Sequence, residues 1–177
     1  MAVSIRPVTA DELPELAPSL AELLIDTVQS GASLGFLPPV TTDAGHRYWL
    51  SLVPEVAEGR RLVVGAFLDG RIAGSAQLVL PAFPNARHRA EVQKVFVHRS
   101  LRGQGVGRWL MSAVHAAARE HDRCLVLLNT RHGGPAERFY KSLGYREVGV
   151  IPGYMLGPSG ERIDSVTLYC DLSSKRA

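Results

Sequence analysis

The stretch from Val95 to Arg108 constrains this chain more than any other. Val95-Phe96-Val97-His98-Arg99-Ser100-Leu101-Arg102-Gly103-Gln104-Gly105-Val106-Gly107-Arg108 reads as a strand, a basic glycine-rich loop and the first turn of a helix. Glycines let the backbone approach a ligand closely and adopt positive φ. The first amides of a helix have no partner inside it, and the helix dipole favours an anion there by about 0.3–1 kcal/mol at an exposed site. The segment therefore predicts a diphosphate site, with Arg102 and Arg108 adding positive charge. Two other phosphate loops fail on the same residues. A P-loop requires Lys and Ser or Thr after its last glycine, whereas Gly107 is followed by Arg108-Trp109. The dinucleotide fingerprint requires G-x-G-x-x-G at the start of a βαβ unit. Gly103-Gln104-Gly105-Val106-Gly107 is one residue too tight and follows several predicted strands.

The surrounding pattern supplies the other elements. Val3 to Val8 predicts a strand, and Thr9-Ala10-Asp11-Glu12 fits a capping box. Leu13, Leu16, Leu20, Leu23 or Leu24, and Val28 follow at helical spacing. Pro14 is tolerated near the start, and Pro18 predicts a kink or a later true start. Ser30 to Phe36 is a loop closed by Pro38-Pro39. A second helix is expected over about Thr42 to Glu58, with Tyr48, Trp49, Leu52, Val53 and Val56 on its apolar face and Pro54 against it. Arg61 to Leu68 and Arg71 to Leu80 form a hairpin about Asp69-Gly70. Arg89 to His98 is a strand alternating Glu91, Gln93, Val95 and Val97 with Val92, Lys94 and Phe96. A helix follows to about Glu120, turning Val106, Leu110, Ala113, Val114 and Ala117 inward. Cys124 to Leu128 is apolar throughout and predicts a strand covered on both faces. Pro135 opens a last helix that ends at Gly144. Tyr145 to Ile151 and Arg162 to Leu172 are two final strands around Pro152-Gly153 and Pro158-Ser159-Gly160. The order predicts a mixed α/β (α+β) fold in one domain over residues 1–177.

Composition narrows the function. Twenty basic against 17 acidic side chains leave a formal charge of +3, which suits an anionic ligand but, with no basic run, not nucleic acid. Cys124 and Cys170 are too few for a disulfide framework and predict buried thiols in a reducing cytoplasm. No apolar stretch approaches the ~20 residues of a membrane span, and Met1 to Pro7 lacks the layout of a signal peptide. Histidine and cysteine spacing suits no metal site.

Arg102-Gly103-Gln104-Gly105-Val106-Gly107 resembles the Q/R-x-x-G-x-G/A signature of the GNAT family of N-acetyltransferases. Ala136-Glu137-Arg138-Phe139-Tyr140-Lys141-Ser142-Leu143-Gly144-Tyr145 resembles that family's second signature region. Within the family, Ser30 to Phe36, Ala90 to Lys94 and Ile151 to Tyr154 look most like the tabtoxin-resistance type. The resemblance implies a mostly antiparallel sheet of about seven strands, splayed at the cofactor strand and flanked by about four helices. It implies acetyl-CoA as cofactor, bound by the backbone of Val95, Phe96 and Val97, by Arg102, Gly103, Gln104, Gly105, Val106, Gly107 and Arg108, and by Asn129 and Tyr140. It also implies a bulge in the Arg89–His98 strand, with an amide from Val95 to Val97 polarising the thioester carbonyl.

The same resemblance implies Tyr140 as the acid for the departing thiolate, sited at the start of the second signature helix. An amine nucleophile must lose a proton near neutral pH, and Glu91, across the cleft, is the expected base, unless it is a strand-edge carboxylate paired with Arg89 or Lys94. Asn129 and Gly133 depart from the family pattern, where relatives place an acid and a cofactor-contacting Asn. His98 and His132 read as loop histidines. Ser33, Phe36, Glu91 and Tyr154 are expected around the acceptor, and Trp49 in the core. The expected activity is direct acetyl transfer to a primary amine of a small molecule; homodimers are common in such families, and the sequence itself demonstrates none. Competing readings are a protein or peptide acceptor and a non-catalytic acyl-CoA-binding module.

Overall fold

The computed structural model describes residues 2–32 and 34–173. Its first element, β1 (Val3–Val8), feeds the capping box predicted for Thr9 and Glu12. The Thr9 amide donates to Glu12 Oε2 at 2.9 Å, and the Glu12 amide donates to Thr9 Oγ1 at 3.3 Å. The helix α1 (Leu13–Gln29) then runs unbroken through Pro18, with no later start. Arg6 lies 2.8 Å from the other Glu12 oxygen. That hydrogen bond first, and the Thr9 amide second, pull the Glu12 carboxyl from its ordinary 4.5 down to about 2.

A carboxyl depressed by folding stabilises the fold above its ordinary pKa and loses that contribution as pH falls towards the folded value. Urea melts of the wild type should therefore lose part of their midpoint between about pH 4.5 and about pH 2, and Glu12→Gln should flatten that part. The pair is solvent-screened, so the effect is small. Thr9→Ala should cost about 1 kcal/mol at neutral pH.

The predicted second helix is two. The helix α2 (Thr42–Ser51) is capped by Thr41 Oγ1, which accepts from the Ala44 amide at 3.1 Å. Leu52 ends it, and α3 (Val53–Ala57) restarts with Pro54 in its first turn, where the missing N–H is no loss. Then come β2 (Arg61–Leu68) and β3 (Arg71–Val79), joined as a hairpin. Asp69 and Gly70 both have positive φ, 47° and 83°, as a tight two-residue turn requires.

The remaining order is β4 (Arg89–Val97), α4 (Val106–Glu120), β5 (Leu125–Arg131), α5 (Pro135–Lys141), β6 (Arg146–Leu156) and β7 (Arg162–Asp171). The strands form one sheet in the order β1-β2-β3-β4-β5-β7-β6, antiparallel except for β4 beside β5. This is the mixed, mostly antiparallel seven-stranded architecture expected. Helices α1 to α3 cover one face and α4 the other. Leu20, Leu24, Trp49 and Phe96 centre the first layer; Val64, Leu78, Leu110, Met111 and Val126 centre the second.

Four expectations need correction. The strands buried on both faces are β2 and β3, which lie between α4 on one side and α1 and α3 on the other. In β5 only Val126 and Leu128 are fully buried, because no helix covers its other face. The helix α4 buries Met111 and Ala118, while Ala113 and Ala117 lie at its margin. Cys124 and Cys170 are half-buried rather than core residues. Finally, Pro152 and Gly153 do not separate two strands: β6 continues past them to Leu156 through an irregularity between Ile151 and Met155. An edge strand tolerates this, since proline there leaves no ladder bond unmade. No helix among the described residues is long and apolar enough to cross a membrane.

Candidate active site

A split in the sheet makes the site. Strands β4 and β5 pair only at Arg89–Leu125, Ala90–Val126 and Glu91–Leu127. Beyond Glu91 they diverge, so the β5-facing edge of β4 from Val92 to Val97 carries backbone groups without a ladder partner. On its other edge β4 is bulged: Phe96 pairs with Ser75 and Gln93 with Gln77, leaving Lys94 and Val95 opposite Ala76 alone. Lys94 adopts φ 50° to make this bulge. An extra residue inverts the alternation that follows. Val95 and Val97 therefore join Ala90 and Val92 on the α4 side, while Phe96 packs among the α1–α2 residues. The alternation read from sequence holds up to Gln93 and is out of phase after it.

At one end of the split lies the glycine loop. A 3₁₀ turn at Arg99–Leu101 leads to Gly103 and Gly105, at φ 76° and 84°. Gly105 caps α4 in the left-handed region, and no side chain caps that helix. The amides of Gly103, Gly105, Val106 and Gly107 donate to no group among the described residues. Such a set of open donors at a helix N-terminus suits an anion. Gln104 instead turns its side chain onto Ser100 O at 2.7 Å. Arg102 reaches Val97 O at 3.2 Å and Ser30 Oγ at 3.1 Å, and Arg108 reaches Ser142 Oγ at 3.2 Å. A cavity of about 470 Å³ joins Val95, Phe96 and Val97 to this loop and to Phe139 and Tyr140.

Tyr140 lies on the opposite wall, in the last turn of α5 rather than at its start. Pro135 opens this seven-residue helix, and Ala136, one turn before Tyr140 on the same face, is too small to close the cleft. Glu137 anchors the helix: its carboxylate accepts from the Gly133 amide at 2.6 Å and from Lys141 at 2.7 Å, with His132 3.3 Å away. Lys141 first, and the Gly133 amide next, hold that carboxyl below its ordinary range. Tyr140 is buried, with its ring 5.7 Å from Tyr145, whose hydroxyl lies 2.9 Å from His115 Nε2. Burial pushes the Tyr140 phenol well above its ordinary value, so it keeps its proton.

A second cavity, of about 670 Å³, shares Val95 to Val97, Arg102, Ala136 and Tyr140 with the first and extends to Glu91, Asn129, Tyr154 and the Leu34–Gly35 turn. Glu91 makes no ion pair with Arg89 or Lys94. It accepts from Gln93 Nε2 at 3.1 Å, and Gln93 is held in turn by Arg61 at 3.3 Å. Asn129 Oδ1 accepts from Thr167 Oγ1 at 2.7 Å. Tyr154 is more than half exposed at the mouth. Phe36 does not line this cavity. Its ring packs edge-on against Tyr48 and lines a small neighbouring pocket with Met155 and Ile163. Ser33 lies outside the described residues. Trp49 is fully buried in the core. His98 caps the 3₁₀ turn through Ser100.

Sequence reasoning missed Lys94, Phe139 and Arg131 as lining residues. Phe139 sits one residue from Tyr140 and meets Gly107, where a Cβ would lie 3.3 Å from its ring. Lys94 carried no signal beyond its place on the strand, because only the bulge turns it into the cleft. Among the described residues no three His, Cys, Asp or Glu side chains gather as a metal site would require.

Comparison with known proteins agrees with this geometry. A profile of the Acetyltransferase (GNAT) family matches residues 31–145. An uncharacterized N-acetyltransferase from the hisH-hisA intergenic region of Azospirillum brasilense is 40% identical over 104 residues, 56% of this chain and 59% of that protein. The match thus spans less than two thirds of that relative's length. Among solved structures, a ribosomal-protein-alanine N-acetyltransferase from Brucella melitensis superposes with a TM-score of 0.77 at 24% identity, covering 96% of this chain and 99% of that one. A putative acetyltransferase from Salmonella typhimurium, solved with its cofactor acetyl-CoA, gives 0.76 at 20% identity over 100% and 98%. With the profile spanning both the glycine loop and the tyrosine helix, this chain belongs to the Acetyltransferase (GNAT) family.

Proposed function

We propose that the chain transfers the acetyl group of acetyl-CoA directly to a primary amine of a small molecule. The observation that carries this reading is the juxtaposition in one cleft of uncapped α4 amides, an unpaired β4 edge and the buried, protonated Tyr140. These residues fit coenzyme A: the amides of Gly103 to Gly107 suit its diphosphate, and the free edge of Val95 to Val97 suits a strand-like amide arm. When bound, the cofactor supplies an acetyl thioester whose carbon the amine attacks and whose sulfur leaves. Backbone N–H groups on the free edge at Val95 to Val97 would stabilise the charge that develops on the thioester oxygen of the bound cofactor. Tyr140 holds a proton at Oη for the departing sulfur. Glu91, directly or through water, takes the proton that the amine must lose. Two half-buried thiols suit a reducing cytoplasm.

Acetyl-CoA-dependent release of free thiol tests the reading, screened over amino acids, β-lactam-bearing dipeptides, polyamines, aminoglycosides and peptides. The dipeptides belong in the panel because of the likeness to the tabtoxin-resistance type. Turnover with a small amine supports the proposal, turnover with peptides alone moves the acceptor to protein, and coenzyme binding without any turnover leaves a binding module. Glu91→Gln should lower kcat/KM by roughly 10²-fold or more. An unchanged kcat/KM would assign the proton to water alone.

A further inference from the structure

Glu91 and Lys94 line the same cavity, and the bulge is the reason. In a regular strand, residues three apart point to opposite faces. The extra residue at φ 50° brings both to the acceptor side of β4. Lys94 is half-buried there, with Nζ 5.4 Å from the Tyr48 ring and 5.7 Å from the Phe36 ring. Among the described residues it has no hydrogen bond and no ion pair. Of the nearest charges, Arg61 pairs with Glu55 at 2.8 Å, while Glu91, which accepts from Gln93, attracts Lys94 without forming an ion pair with it. Burial first, and then the Arg61 charge, hold the ammonium below its ordinary pKa. A desolvated cation without a counter-ion is costly unless a ligand supplies one.

Resting on the small-amine reading above, we infer that Lys94 anchors an anionic group of the acceptor, so that the acceptor is an amine bearing a carboxylate. The cavity offers such a molecule one unpaired cation for its carboxylate and one carboxylate, Glu91, for its ammonium. A neutral amine or a polyamine would leave Lys94 with only the Phe36 and Tyr48 rings beside it and no anion in contact. Arg131, exposed at the mouth, adds to the positive potential without taking the same position.

The test compares amino acids with their carboxamides on the wild type, Lys94→Met and Lys94→Arg, each checked for a wild-type melting temperature. For the wild type, kcat/KM should favour the carboxylate by roughly tenfold to a hundredfold. In Lys94→Met the preference should vanish through a raised KM for the carboxylate, and Lys94→Arg should keep part of it. Equal turnover of acids and amides by the wild type, or a preference surviving in Lys94→Met, overturns the inference. Calorimetry of N-acetyl amino acids and N-acetyl amino amides on the coenzyme A-loaded protein reads the same contact without turnover. Discrimination in binding that depends on Lys94, with no turnover, would keep the anchor and sink the transferase reading. Turnover with no discrimination in either assay would do the reverse. A variant that melts early is replaced by Lys94→Gln, for which the same loss is expected.

Discussion

Tyr140→Phe should lower kcat by about 10²- to 10⁴-fold while coenzyme A still binds, because the variant removes one hydroxyl and leaves the ring. The phenol's proton is secure: burial raises its pKa, so the wild-type rate should show no loss assignable to Tyr140 below pH 10. The ring's packing against Phe139 and Tyr145, at 5.2 and 5.7 Å, survives the substitution, so the melting temperature should barely move. Stopped-flow thiol release and calorimetry with coenzyme A check both halves. A variant as fast as the wild type would make Tyr140 a packing residue and require another proton source for the sulfur. A variant that no longer binds coenzyme A would make it a wall of the binding site first.

Trp49→Ala should have the largest effect on stability. Trp49 is fully buried, edge-on to Phe96 at 6.2 Å and to Tyr48 at 5.3 Å. Emptying that volume costs about 3–5 kcal/mol, a large share of the roughly 5–15 kcal/mol that holds a domain. The melting temperature should fall by on the order of 10 °C. Activity should fall as well below the melt, since Phe96 sits on the bulged strand that forms the cleft. Trp49→Phe should cost much less. The indole N–H has no partner among the described residues, so replacing it removes an unsatisfied buried donor along with some volume. A Trp49→Ala variant melting within about 2 °C of the wild type would mean that the layer under α1 and α2 is not one packed unit.

Much of this molecule is legible in short spans of chain. The capping box at Thr9 and Glu12, the Asp69-Gly70 hairpin and the glycine loop before α4 all follow from local chemistry. A side-chain cap, a pair of positive φ angles and open helix amides are each decided within a few residues. The placement of Tyr140 beside that loop is also legible, but through family resemblance rather than spacing. Residue pattern did less well where neighbours decide burial. Cys124 to Leu128 is apolar throughout, yet one face of β5 lacks a helix. Pro54 spoke against one continuous helix, and only packing shows that Leu52 ends one and Val53 begins the next.

The sequence by itself determined which elements form and where an anion can dock, because hydrogen-bond geometry and φ preferences act over one turn or one hairpin. Only the tertiary structure decided what the cleft contains. The split between β4 and β5 depends on how far two strands stay parallel. The bulge depends on Ala76 of β3 facing both Lys94 and Val95. Those are relations between segments distant along the chain: family resemblance implied a splay and a bulge, but no periodicity within β4 encodes them. They turn Val95 and Val97 to the α4 side, bring Lys94 into the same cavity as Glu91, and leave a strand edge free for a ligand.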